Sequence, residues 1–402
     1  MMYNFDEMID RRHTNCMSTD GFRSYIFKDN EGTMTFPYKD DEFIRMWIAD
    51  MEFATPDFIL EAMKKRIDRR IFGYSKVFDP AYYEAFRQWC DRMYDWHCER
   101  EEMVTSPGIV PALYWLVGFL TKPDEKILIM TPSYKHFSGA PHWHNRELLC
   151  SDLVNDGTNY FTIDFKDFEE KAADPKTTLC IFCNPHNPTG RIWTEDELKR
   201  VGEICRKHNV YIISDEIHCD LIRTGRKHIP LAKALPDYKN IITCMSPSKT
   251  FNMAGTMLSN LVIPNPETRA LWLEKRYMND NPISIAGVQA AYAEGADWLA
   301  QLKVYIDKNF EFVKEFIETK LPKAVFRIPE ATYLGWVDVG AYLGDVESLP
   351  KFFADNAGVL LEGGNMFVQN SDGFIRLNVA CQRKVLEEGM NRIANAILAH
   401  QK

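Results

Sequence analysis

The sequence predicts an α/β protein: a large part built on a mostly parallel sheet between helices, and a smaller α/β part towards the C-terminus. Three observations predict it. Short apolar runs recur at Lys126–Met130, Thr178–Cys183, Val210–Ser214, Ile241–Met245 and Ser259–Ile263. Each is too continuous for a strand with one wet face, which would alternate, so each reads as a strand buried on both faces. Amphipathic stretches separate them, the rhythm of βαβ units. Four of the runs, finally, lead directly into polar, turn-rich motifs.

The intervening elements follow in order. Ser106-Pro107-Gly108-Ile109-Val110-Pro111 precedes a helical run, Ala112–Leu120; Pro111 suits a first helical turn, and a glycine at Gly108 lets backbone amides approach an anion there. Thr194 is placed to cap a crossover helix, with Glu197 closing the capping box and Leu198, Val201, Ile204 and Cys205 as its apolar stripe. Ile285–Lys320 reads as one long helix, and Lys384–His400 as a final amphipathic one. With neither repeats nor low-complexity linkers, the smaller part is expected to be assembled from both chain ends.

Composition narrows the function classes. The chain has 402 residues, 46% of them hydrophobic and 26% charged, enough for two or three domains around a large core. A net charge of -9 argues against a general nucleic-acid binder. No apolar run reaches membrane-spanning length, and Met1–Arg12 lacks a signal-peptide core, so a cytoplasmic protein without membrane contact is expected. The ten cysteines are too scattered for a disulfide scaffold. Cys180 and Cys183 form a C-x-x-C inside an apolar run with no second ligand pair, and His142 and His144 stand alone, so no metal site is expected.

The chemistry concentrates at the strand ends. Lys126–Met130 leads into Thr131-Pro132-Ser133-Tyr134, Thr178–Cys183 into Asn184-Pro185-His186-Asn187-Pro188-Thr189-Gly190, Val210–Ser214 into Asp215-Glu216-Ile217-His218, and Ile241–Met245 into Ser246-Pro247-Ser248-Lys249-Thr250. In an open parallel sheet ligands bind at the carboxyl edge, so the four motifs should converge. A primary amine there, Lys249, suits a carbonyl cofactor with a phosphate tail: it can anchor the aldehyde and, once displaced by a substrate amine, act as a base at Cα. Asp215 can hold a pyridine nitrogen protonated. Asn187 and His218 can donate to a ring phenolate, and Tyr134 can stack on the ring face. Ser246, Ser248 and the amides around Gly108, Ile109 and Val110 are candidate phosphate ligands.

Over nearly its whole length the chain resembles fold-type I pyridoxal-phosphate enzymes of the aminotransferase class I/II superfamily. The resemblance rests on Asn184–Gly190, on Asp215 with its Glu-Ile-His tail, on Ser-x-Ser-Lys249, and on Arg376 in Phe374-Ile375-Arg376-Leu377-Asn378. It implies pyridoxal 5'-phosphate as cofactor and Arg376 as a bidentate ligand of the substrate α-carboxylate. It also implies a large cofactor domain over 51–288, a small domain over 289–402, and an N-terminal segment, 1–50, packed on the small domain.

Met46-Trp47-Ile48-Ala49-Asp50-Met51-Glu52-Phe53, His218, and Ser248–Gly255 resemble the MalY/PatB group of cystathionine β-lyases and related carbon–sulfur lyases. That resemblance implies a β-lyase releasing thiol, pyruvate and ammonia from a sulfur amino acid. It places Trp47 and Ala49 beside the substrate, and implies a homodimer in which Tyr74 reaches the neighbouring subunit's cofactor phosphate. Either Tyr134 or Tyr74 would serve the departing sulfur. Trp47, Phe53, Tyr333 and Trp336 are expected to line an apolar pocket for a neutral or thioether amino acid. The segment Arg11–Asp20 departs from the group pattern, with His13 where glycine is usual, and Gln382 stands where proline is usual. An aminotransferase acting on a neutral or aromatic amino acid is the alternative, and a cofactor-binding regulatory protein with little turnover is a third.

Overall fold

The computed structural model describes residues 2–276 and 278–401. Its larger sheet has seven strands, five of them on the apolar runs: β1 Met103–Ser106, β2 Lys126–Thr131, β3 Glu147–Asp152, β4 Thr177–Cys183, β5 Tyr211–Asp215, β6 Ile241–Met245 and β7 Ser259–Val262, in the spatial order β1-β7-β6-β5-β4-β2-β3. The ladders from β3 through β2, β4 and β5 to β6 are parallel, and β7 is antiparallel to both β6 and β1. Two strands have no counterpart in the sequence reading. β1 is only four residues long, and β3 is an edge strand with an exposed residue at each end, so neither presents a long apolar run.

Helices pack on this sheet and between it and the rest of the chain: α1 Pro80–Tyr94, α2 Ile109–Leu120, α3 Glu195–Lys207, α4 Pro247–Thr250, α5 Pro282–Glu294, α6 Ala296–Lys320 and α7 Arg383–His400. The α3 start carries the expected capping box, with the Glu197 N–H donating to Thr194 Oγ1 at 3.2 Å and the Thr194 N–H donating to Glu197 Oε2 at 2.8 Å. The single long helix expected over 285–320 is two helices. Asn281 caps a start at Pro282, and the chain breaks at Gly295, where any Cβ would lie 2.2 Å from the Phe251 ring. Close packing on the loop that follows Lys249 thus sets the break.

A second, four-stranded antiparallel sheet has the order β8-β9-β11-β10, from β8 Val325–Phe326, β9 Leu334–Asp338, β10 Glu362–Gly363 and β11 Phe374–Asn378. The N-terminal segment ties the two sheets together. Ile44–Arg45 pairs in parallel with Val359–Leu360. Asn378 Nδ2 donates to the carbonyls of Ile48 and Asp50 at 2.7 and 2.6 Å, while the Asn252 side chain binds the backbone of Met51 and Phe53. Residues 44–53 therefore form a strap between the small sheet and the lysine loop. Among the described residues no helix is long and apolar enough to cross a membrane.

Candidate active site

Because β2, β4, β5 and β6 are parallel, their carboxyl ends share one edge, and the register sets Cys183 opposite Asp215 and Asp215 opposite Cys244. A cavity of about 460 Å³ opens there. Lys249, Asp215, Asn187, His218, Tyr134, Ser246, Ser248, Gly108, Ile109, Val110, Ala49 and Arg376 all line it.

Lys249 sits on the one-turn helix α4, whose N-cap Ser246 accepts from the Ser248 N–H at 3.2 Å. Its Nζ donates to the Ala49 carbonyl at 2.6 Å, so the strap holds the resting amine. Burial lowers its pKa, which favours the neutral, nucleophilic form. Asp215 ends β5, buried, and accepts a hydrogen bond from the Ile217 N–H at 3.1 Å. Burial, with the Glu216 charge adding to it, pushes its pKa up to about 7. His218, in the turn after β5, is buried with Nδ1 unpartnered, and burial drops its pKa to about 3, leaving the ring neutral at pH 7. Tyr134 is kept protonated because burial raises its phenol pKa.

Arg376, on β11, reaches the cavity from the small sheet. Its Nη1 donates to Asn187 Oδ1 at 3.1 Å and its Nη2 to the Trp47 carbonyl at 3.3 Å, and it forms an ion pair with Glu362, while its Nε has no partner. α2 begins at Ile109, so the amides of Ile109 and Val110 have no intrahelical carbonyl to pair with, and both residues line the cavity together with Ser246 and Ser248.

Tyr74 is 96% exposed on its own chain, outside this cavity. The expectations for four aromatics need correction. Trp47 contributes its carbonyl, not its ring; the ring is buried, donates Nε1–H to the Ser18 carbonyl at 3.1 Å and packs on Tyr25 at 5.1 Å. Phe53, Tyr333 and Trp336 are buried in the core and do not line the cavity either: Phe53 packs against Phe5 and Tyr305, and Trp336 stacks on Phe374 at 4.9 Å. The aromatic wall is instead Tyr25, Tyr134 and Phe137, with Met17 and Met257 at the rim. Met17 comes from the atypical segment Arg11–Asp20, and Tyr25 from the helix Phe22–Phe27 that follows it. Glu362 was missed as well; its one signal was an acid directly after the apolar run Val359–Leu361.

The donor set fits pyridoxal phosphate. Asp215 supplies a buried carboxylate short of donors, His218 Nδ1 and Arg376 Nε are buried polar atoms without partners, and the α2 start with two serine hydroxyls suits a phosphate. Unsatisfied buried groups of this kind are rare unless a ligand completes them.

Known proteins match this arrangement along most of the chain. The aminotransferase class I and II family model matches residues 42–393. Cystathionine beta-lyase PatB of Bacillus subtilis is 39% identical over 359 residues, covering 88% of this chain and 92% of that protein. Protein MalY of Escherichia coli is 29% identical over 403 residues, covering 99% of this chain and all of that one (100%). The structure of the PLP-bound C-S lyase from Staphylococcus hominis, complexed with the inhibitor L-cycloserine, superimposes with a TM-score of 0.95 at 46% identity, covering 99% of this chain and 98% of that one. A cavity framed by a strand-end lysine, a buried aspartate and an arginine from a second sheet, in a chain matched at this length, belongs to the aminotransferase class I and II family.

Proposed function

We propose that the protein is a pyridoxal-phosphate-dependent carbon–sulfur β-lyase that releases thiol, pyruvate and ammonia from a sulfur amino acid. The observation that carries the reading is the amine of the half-buried Lys249 in one cavity with the buried Asp215, Asn187, His218 and Arg376. When bound, the cofactor supplies an electron sink for the pair left at Cα once its proton is removed.

This chain's residues do the rest. Asp215 holds the ring nitrogen protonated, and the pyridinium charge offsets the burial that raises the Asp215 pKa in the cofactor-free protein, keeping the carboxylate ionised. Neutral His218 and the Asn187 amide, whose oxygen is already committed to Arg376, direct N–H donors at the ring hydroxyl. Ser246, Ser248 and the first-turn amides at Ile109 and Val110 take the phosphate. Arg376 receives the substrate α-carboxylate and so fixes which Cα bond faces Lys249. Lys249 then carries the Cα proton, its neutral form kept available by burial. Tyr134, protonated throughout the neutral range, is the acid on the sulfur side. In a homodimer, Tyr74 of the partner subunit adds a hydroxyl at the phosphate; its 96% exposure here leaves it free to do so. On this reading, residues 51–288 form the cofactor domain and 289–402 the small domain, with 1–50 packed on the latter. All ten cysteines are free thiols, which suits a reducing cytoplasm.

The test is to incubate the holoenzyme with L-cystathionine, L-cysteine or S-methyl-L-cysteine and no keto acid. The reading predicts stoichiometric pyruvate and thiol. Amino transfer to an added keto acid with no pyruvate from any of the three would make the protein an aminotransferase instead.

A further inference from the structure

Glu362 has no task in the chemistry above, yet it stands on the residue to which that chemistry assigns the substrate's carboxylate. Strand β10 pairs with β11 so that Glu362 lies directly opposite Arg376, which sets the two side chains side by side on one face. The Glu362 carboxylate is ion-paired with Arg376 Nη2, is 5% exposed, and lines the same cavity. Asn187 occupies Nη1 and the Trp47 carbonyl shares Nη2, so only Nε of the guanidinium is unpartnered. The fork that should grip a carboxylate therefore already holds one.

Two ionised carboxylates on one buried arginine repel, and a site of this kind keeps one of them protonated. The groups around Glu362 come from four places: Arg376 on β11, Lys249 on α4, Tyr25 in the helix Phe22–Phe27 and Tyr134 after β2. Arg376 and, when it is charged, Lys249 favour the ionised form, burial opposes it, and burial is the larger effect, so the Glu362 pKa is raised.

We propose that Glu362 is a proton-linked placeholder in the carboxylate subsite. In the free enzyme it holds the Arg376 fork. When a substrate binds, an O–H bond forms between the Glu362 carboxylate and one proton taken from solvent, and the freed fork passes to the substrate α-carboxylate. When the product leaves, the proton returns to solvent and the ion pair closes. Glu362 acts through Arg376 and is a positioning residue. Carboxylate affinity therefore falls with rising pH, by up to about tenfold per pH unit once Glu362 is ionised in the free enzyme. The inference rests on the assignment of Arg376 to the substrate carboxylate.

The experiment uses the holoenzyme and 3-(methylthio)propionate, a thioether carboxylate with no amino group to react at Lys249. Calorimetric titration from about pH 6 to about pH 9, in two buffers of different ionisation enthalpy, reads both Kd and protons taken up per ligand. The wild type should take up close to one more proton per ligand at high pH than Glu362→Gln, and the variant should bind at least about tenfold tighter at the top of the range with a flatter pH slope. Because Glu362 acts on the Lys249 amine, titration of the Lys249 centre is followed separately in each protein by its visible absorbance and subtracted. Glu362→Met, uncharged and of similar length, should behave like Glu362→Gln and provides the same comparison if that variant folds poorly. Weaker binding by the variants with an unchanged slope and proton count would make Glu362 merely a brace for Arg376 and overturn the inference. A Kd unchanged in Arg376→Ala would overturn the carboxylate assignment and this inference together.

Discussion

Two buried aspartates five residues apart, Asp215 and Asp220, are treated very differently by the fold. Asp220 accepts from Trp89 Nε1 at 3.0 Å, from Thr250 Oγ1 at 2.8 Å and from the Tyr94 hydroxyl. Its donors come from α1 and α4, so this carboxylate pins the lysine-bearing helix to the core. The Asp215 carboxylate, also buried, accepts one hydrogen bond among the described residues, from a backbone N–H. Burying a carboxylate costs several kcal/mol unless donors offset it. One aspartate is satisfied by the protein, and the other is left short at the edge of a cavity. That contrast separates a structural carboxylate from one awaiting a ligand, and the two should respond to mutation in opposite ways.

The largest effect belongs to activity. Asp215→Asn should lower the rate of pyruvate release by on the order of 10²–10³-fold, because the charge that keeps the ring nitrogen protonated is gone; an initial-rate assay at saturating cofactor checks it. Next comes pH. The Asp215 pKa is raised from the ordinary carboxylate value to about 7 in the folded, cofactor-free protein, so between about pH 4 and that value the folded state binds the extra proton. Its contribution to stability is therefore greatest at low pH and falls as pH rises, by up to about 4 kcal/mol across the window. Denaturant melts of cofactor-free wild type and Asp215→Asn at several pH values should show that slope as the difference between them, with the variant at least as stable as wild type at about pH 8.

Asp220→Ala should do the reverse. It strands three donors and should cost about 3 kcal/mol in the same melts at about pH 8. Tyr94→Phe removes one of those donors, together with the hydroxyl's contact to Cys219 Sγ, so about 1 kcal/mol is expected. If Asp220→Ala proved milder than Asp215→Asn, the contrast between the two carboxylates would be gone.

The same contrast explains what could be read from the chain. Strand-end motifs were legible because a parallel sheet forces its carboxyl ends onto one edge, so Tyr134, Asn187, Asp215 and Lys249 needed only the strands to be recognised. What meets them from elsewhere was not. Tyr25 and Glu362 reach the cavity from the helix Phe22–Phe27 and the small sheet, from elements too short to leave a period: β10 is two residues long. The four aromatics expected in the pocket show the complementary failure. Size and hydrophobicity place Phe53, Tyr333 and Trp336 inside, but not against which cavity, and Trp47 serves through an atom every residue has. Asp215 and Asp220 themselves look alike in sequence; only the donors brought from α1 and α4 tell them apart.

The central claim is that Lys249 carries the cofactor. Borohydride reduction of the yellow holoenzyme followed by peptide mass mapping tests it most directly, since reduction makes the lysine–cofactor link permanent. The account predicts a single cofactor-sized mass addition on the peptide containing Lys249, and its absence in Lys249→Ala. Addition at another lysine, or the same visible absorbance and adduct in Lys249→Ala, would contradict it.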